Sequence, residues 1–161
     1  MTEHTPQAET MTPMDRREPG TLVAPVVGAV FLVVGLLGFI PGVTTGYDSM
    51  TFAGHPSGAL LFGVFAVSVL HNLVHVAFGV AGLATVRSPR GARVFLVGGG
   101  AVYLLLWLYG LVVHETTAAN FVPTNTPDDW LHLCLGLSML GLAFLVGTPR
   151  RPTNTPIHQP N

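Results

Sequence analysis

Four stretches of this chain carry no charged side chain, and each is close to the length of a membrane-crossing helix: Leu22 to Ile40, Ala59 to Val86, Val94 to Val113, and Trp130 to Val146. A helix needs about 20 apolar residues to cross a hydrocarbon core about 30 Å thick. The second stretch is longer than that and predicts a tilted or projecting helix. Strands are a poor reading of such runs, because barrel strands are about 10 residues long and alternate strictly. Only 9% of the residues are charged, whereas a water-soluble domain carries about 25%. Mean hydropathy is +0.54. A surface this poor in charge faces lipid, so the chain predicts an all-α fold, an integral membrane four-helix bundle over residues 21–147.

The basic residues predict its orientation. All seven are arginines. With four spans, Arg16 and Arg17 precede the first, Arg87, Arg90 and Arg93 lie between the second and third, and Arg150 and Arg151 follow the fourth. Every one falls on the same side. The two opposite loops hold Asp48, Glu115, Asp128 and Asp129 and no basic residue. Arginine near span ends stays in the cytoplasm, so both termini are expected there. Residues 1–20 and 148–161 are polar and rich in Thr and Pro and read as disordered cytoplasmic tails. The first run follows a long polar start and ends in "GFIPG" rather than a small-residue cleavage site, so it is expected to be retained as a helix. Lysine is absent, and Gly, Ala, Val and Pro are abundant, as in GC-rich genomes. The expected location is a bacterial inner membrane.

Helical periodicity places polar and small residues on common faces. At 100° per residue, Ser68, His71, Asn72, His75, Gly79 and Gly82 share one arc of the second span. Gly99, Gly100, Tyr103, Trp107, Gly110 and His114 share one on the third. Gly28, Gly35 and Gly42 recur at heptad spacing around the first. In lipid, small residues let backbones approach and polar side chains bond across helices, so these stripes are expected to face inward. The fourth span has a readable start in "TPDDW". Thr126 is the expected N-cap, Pro127 the first helical residue, and Asp128 and Asp129 the acids of the first turn, with Thr126 and Asp129 as a capping-box-like pair. Trp130 stands where an interfacial aromatic belongs.

"HNLVH", His71 to His75, puts two imidazoles and a carboxamide into the longest apolar run. The first reading is a seam in which His71, Asn72 and His75 hydrogen-bond between helices; it requires no cofactor. A second is a small metal- or haem-binding redox protein. Histidines four apart lie on one helix face and can chelate, with His132 as a third ligand and Asp128 or Asp129 orienting its ring. Haem fits less well, since axial ligands approach from opposite faces. A third reading is a proton-linked sensor, because an ionisable group within a membrane is a functional candidate. No catalytic triad, phosphate loop or carboxylate pair appears in the spans, so an enzyme is not expected. Cys134 is alone and reads as a packing residue. No basic patch with interleaved aromatics suggests nucleic acid. The expected partners are the lipid bilayer and either a second copy or another membrane protein.

"FLVVGLLGFIPG", "LLFGVFAVSVLHNLVHVAFGVAGL" and "PTNTPDDWLHLCLG" together resemble the bacterial four-helix membrane family catalogued as domain of unknown function 4383. The likeness covers about residues 20 to 147, and its most specific elements are HNxxH and the aspartate-rich turn before WLH. The resemblance implies a four-span inner-membrane protein, mostly from actinobacteria. It implies no activity, cofactor or catalytic residue.

Overall fold

The computed structural model of the chain describes residues 22–54, 57–114 and 116–146. The two polar tails and Glu115 lie outside them. Among the described residues there are four α-helices: α1 (Val23–Leu37), α2 (Val69–Ala84), α3 (Pro89–Val112) and α4 (Thr126–Leu145). Helices α3 and α4 are long and apolar enough to cross a membrane, whereas α1 and α2 are shorter apolar helices.

The second apolar run is not one helix. Its first part is a strand pair, β2 (Leu60–Leu61) and β3 (Phe65–Ala66), and only its later part is α2. With β1 (Thr44–Thr45) the pair makes an antiparallel sheet in the order β1-β2-β3, with Thr44 opposite Leu61 and Leu61 opposite Phe65. Apolarity alone does not separate a buried strand from a helix. The deciding residues are Gly63, whose φ of +71° turns the hairpin, and Ser68, whose hydroxyl accepts from the His71 amide and starts α2. Ser68 is therefore the N-cap of α2, wholly buried, rather than a member of an interhelical seam. Gly42, expected on the first helix, lies beyond it in a turn at φ +93°.

The sheet closes the end of α1. Ala59, Leu61 and Val67 are buried there against Val34, Leu37, Val43 and Met50. The buried Thr44 hydroxyl donates to the Gly38 carbonyl at 3.1 Å, satisfying one of the carbonyls that a helix C-terminus leaves open. At the opposite end Ser88 caps α3 through the Gly91 amide at 3.0 Å.

Glycines set the helix pairing. A Cβ on Gly28 of α1 would lie 2.8 Å from the Gly79 carbonyl oxygen of α2, and one on Gly79 would lie 2.5 Å from the Leu32 nitrogen. The α3–α4 pair meets the same way: a Cβ built on Gly100 would lie 3.0 Å from the Gly136 carbonyl oxygen and one on Gly136 3.1 Å from that of Gly100, both closer than ordinary van der Waals contact. Such contact is what small residues permit. The inward placement read from the stripes is thus found for Gly28, Gly35, Gly79, Gly82, Gly99 and Gly100. The main core joins both pairs through Ala24, Phe31, Leu96, Tyr103, Met139 and Ala143. The outward faces are apolar: Val26, Val30, Val33 and Leu36 on α1 are each more than half exposed, as are Leu105 and Leu111 on α3 and Leu137 and Phe144 on α4.

Gly79→Ala is expected to cost about 1–3 kcal/mol, the range for overpacking a tight contact, because the new methyl meets backbone that cannot swing away. Gly141→Ala, where a Cβ meets nothing within 4 Å, is expected to cost nothing. Thermal unfolding in detergent, followed by circular dichroism, compares the two; equal midpoints would refute the backbone-contact account.

Candidate functional site

The start of α4 is where loop, sheet and bundle are tied together. Asn125 is the N-cap, one residue before the expected Thr126. Its side chain accepts from the Asp128 amide at 3.1 Å, and Asp128 Oδ2 accepts from the Asn125 amide at 3.1 Å. The box is Asn125 with Asp128, not Thr126 with Asp129. Asparagine is as good an N-cap as threonine or better, and moving the start back one residue puts Asp128, which is buried, at the reciprocal third position. The same carboxylate oxygen also accepts from the Ala66 amide of β3 at 2.9 Å. Asn125 Nδ2 donates to the Val64 carbonyl at 2.8 Å, so two bonds fix the hairpin to the helix start. Asp129 packs on α3 instead: a Cβ on Gly110 would fall on its carboxylate.

Beside this junction the four helices meet through rings, at least one from each. His71 and His75 of α2 stack with centroids 4.6 Å apart and planes 8° apart. His75 meets Phe31 of α1 edge-on at 5.6 Å. Phe31 stacks on Tyr103 of α3 at 5.4 Å, and Tyr103 lies 5.5 Å from His132 of α4. Such contacts are favourable beyond their buried area.

The interhelical hydrogen bonds expected of His71, Asn72 and His75 are not what joins the helices. His75 Nδ1 pairs with the His71 carbonyl at 3.2 Å, inside α2. Asn72 is buried against Gly38 at the end of α1, and its amide is 3.9 Å from Met50 sulfur. The helices join by ring and backbone packing, because glycines bring the backbones too close for polar side chains to bridge between them.

A cavity of about 240 Å³ lies against the cluster. Its polar lining is Ser68, His71, His75, Tyr103 and His132, and its apolar lining includes Leu106, Phe121 and Val122. His132 is 3% exposed, and its buried Nδ1 has no hydrogen-bond partner. Neither Asp128 nor Asp129 therefore orients His132 through that atom. All three histidines singled out from the sequence thus reach one cavity. Among the described residues, however, no three or more His, Cys, Asp or Glu side chains form a group able to hold a metal ion. The stack explains this for the HNLVH pair: parallel rings 4.6 Å apart do not aim two nitrogens at one point about 2 Å from each. Cys134 is exposed on α4. Tyr103 was read only as an inward residue; its place between Phe31 and His132 depends on how two helix pairs cross, which periodicity within one helix does not encode.

A family model described as a domain of unknown function, DUF4383, matches residues 21–145. No curated protein matches the chain, and no solved structure does. The chain belongs to the DUF4383 family.

Replacing Asp128 by Ala leaves the Ala66 and Asn125 amides without their acceptor, at about 1–3 kcal/mol for each buried donor left unpaired. Asp128→Asn is expected to keep part of that, since one amide oxygen can still accept. Unfolding midpoints of the two variants against wild type check the order; an unchanged midpoint in Asp128→Ala would show that the junction contributes nothing.

Proposed function

We propose that this member of the family is a multi-pass protein of a bacterial inner membrane, with four spans and both termini cytoplasmic, whose role is structural or regulatory and not catalytic. One observation carries the reading: the outward faces of the helices are apolar while the ends of the bundle differ in charge. Arg90 and Arg93 lie in the first turns of α3, close to the start of α1 and the end of α4, since Ala24, Ala92 and Ala143 share one core. Asp48, Asp128 and Asp129 lie at the other end with the sheet. Among the described residues the arginines lie at one end, which supports the cytoplasmic assignment of that end.

The shorter helices are compatible with spanning. At 1.5 Å per residue the 15 residues of α1 reach about 22 Å, less than the hydrocarbon thickness. The sheet extends that end of the α1–α2 pair, and its ladder pairs the backbone groups that lipid would leave unsatisfied. The glycine stripes are occupied within the protomer at Gly28, Gly35, Gly79, Gly82, Gly99 and Gly100. A second copy or another membrane protein would meet outward-facing apolar surface such as that around Gly98 and Gly141, where a Cβ meets nothing within 4 Å.

Fusions at the C-terminus test the topology. A fluorescent protein that matures only in the cytoplasm is expected to be bright there, and an alkaline phosphatase that folds only outside is expected to be inactive. Phosphatase fused after Gly54 is expected to be active. The reverse pattern would overturn the reading. Proton-linked sensing has one observation in its favour, the convergence of three imidazoles on one cavity. It predicts that the intrinsic tryptophan fluorescence of the protein changes between about pH 5 and 8, the range of histidine, and ceases to change in His75→Ala. A flat profile in the wild type removes it.

A further inference from the structure

The cavity is built like a receptor site for a small uncharged molecule. Among the described residues its lining has no charged side chain, so none of them compensates an ionic ligand, whose burial unpaired is costly. Its volume, about 240 Å³, exceeds the roughly 150 Å³ that suffices for benzene, so it fits one substituted ring. The polar groups then specify what the ring carries. The His71 carbonyl can only accept, so His75 Nδ1 donates its proton there; in the neutral imidazole this leaves Nε2 as an acceptor. The Tyr103 hydroxyl can donate or accept. His132 Nδ1 is buried and unpartnered, and a buried polar atom without a partner marks a place where one is supplied from elsewhere. Side chains able to accept and to donate, on His75, Tyr103 and His132 at the edge of one ring-sized and mostly apolar space, suit a ring with a single hydroxyl group, which both donates and accepts.

The cavity also has a side route. A second hollow of about 250 Å³ shares Val102, Leu106, Phe121 and Val122 with it and adds Leu105 and Tyr109. Leu105 is 65% exposed and Phe121 58%, so this hollow reaches the outer apolar surface. In the membrane reading, on which this step rests, that surface is lipid. We propose that the cavity binds a membrane-dissolved ring compound bearing a hydroxyl group, of the phenol or quinol class, with the hydroxyl among His75, Tyr103 and His132 and the apolar body directed through the Leu106–Phe121 side.

The test uses the full chain in mild detergent with 4-fluorophenol, read by fluorine NMR, and fluorobenzene as the probe lacking a hydroxyl. Empty micelles give the partitioning background. Saturable binding of 4-fluorophenol above that background is expected. It is expected to weaken by about three- to tenfold in Tyr103→Phe, which keeps the ring and loses one hydrogen bond, and similarly in His132→Phe. Leu106→Trp, which fills the cavity from the apolar side, is expected to abolish it; circular dichroism confirms that each variant is folded. Partitioning equal to empty micelles, or binding unchanged by Leu106→Trp, overturns the proposal. Equal binding of fluorobenzene overturns the hydroxyl-recognition part. The fusion reporters are read independently: inverted topology with saturable binding would refute the membrane reading and leave the cavity standing, and correct topology without binding does the opposite.

Discussion

The end of the molecule that holds the cavity depends on one buried carboxylate. Asp128 Oδ2 accepts from the Asn125 amide, which closes the capping box of α4, and from the Ala66 amide, which anchors the edge of the sheet. A single acceptor thus fixes a helix start and a strand sixty-two positions away in the chain. Both donors are backbone amides at least partly buried, and leaving either unpaired is costly; Asp128 also stands in the first turn of α4, where acids are favoured. The segment from Phe121 to Pro123, which lines one side of the cavity, leads directly into this junction, which the Asn125–Val64 bond also ties to the hairpin.

At the other level of organisation, packing within helix pairs and packing between them use different means. Within α1–α2 and α3–α4, glycine brings backbone to backbone, and the contact distances leave no room for even a methyl group. Between the pairs, rings do the joining: Phe31 and His75 on one side, Tyr103 and His132 on the other. Dispersion at close backbone contact gives a tight, unambiguous register. Ring contacts at 5–6 Å between centroids have specific geometry but leave gaps at their edges.

Much of this was legible from the residues. The helix count, the inward glycine faces and the acidic first turn of α4 follow from charge-free runs, 3.6-residue periodicity and capping chemistry. Two local features escaped. The first part of the run from Ala59 to Val86 forms strands because Gly63 supplies a left-handed turn and Ser68 a cap; a hydropathy window averages over both. The cap of α4 fell on Asn125 rather than Thr126, a choice between two competent residues made by which neighbour then places Asp128 against β3, a contact invisible in the local sequence. The sequence offers His71, His75 and His132 together as candidate ligands, and the structure brings all three to one cavity. Their use was not legible, because stacking against chelation is decided by side-chain rotation and by Phe31, a residue with no polar signal at all.

The cavity follows from the mismatch between the two kinds of packing. Helices α1 and α2 are 15 and 16 residues long, and α3 and α4 are 24 and 20. If the pairs met through glycine as their members do, the short pair would leave the upper turns of the long pair uncovered. Rings at the interface instead hold α2 away from α3 and α4, and the small sheet fills the missing length above α1. The remaining space opens where α2 begins, between the Ser68 cap and the loop before α4. The polar residues found there are the Ser68 cap, His71 and His75 in the first two turns of α2, His132 in the second turn of α4, and Tyr103 from within α3. A mostly apolar space with a few polar side chains at its edge thus accompanies the pairing of two short helices with two long ones.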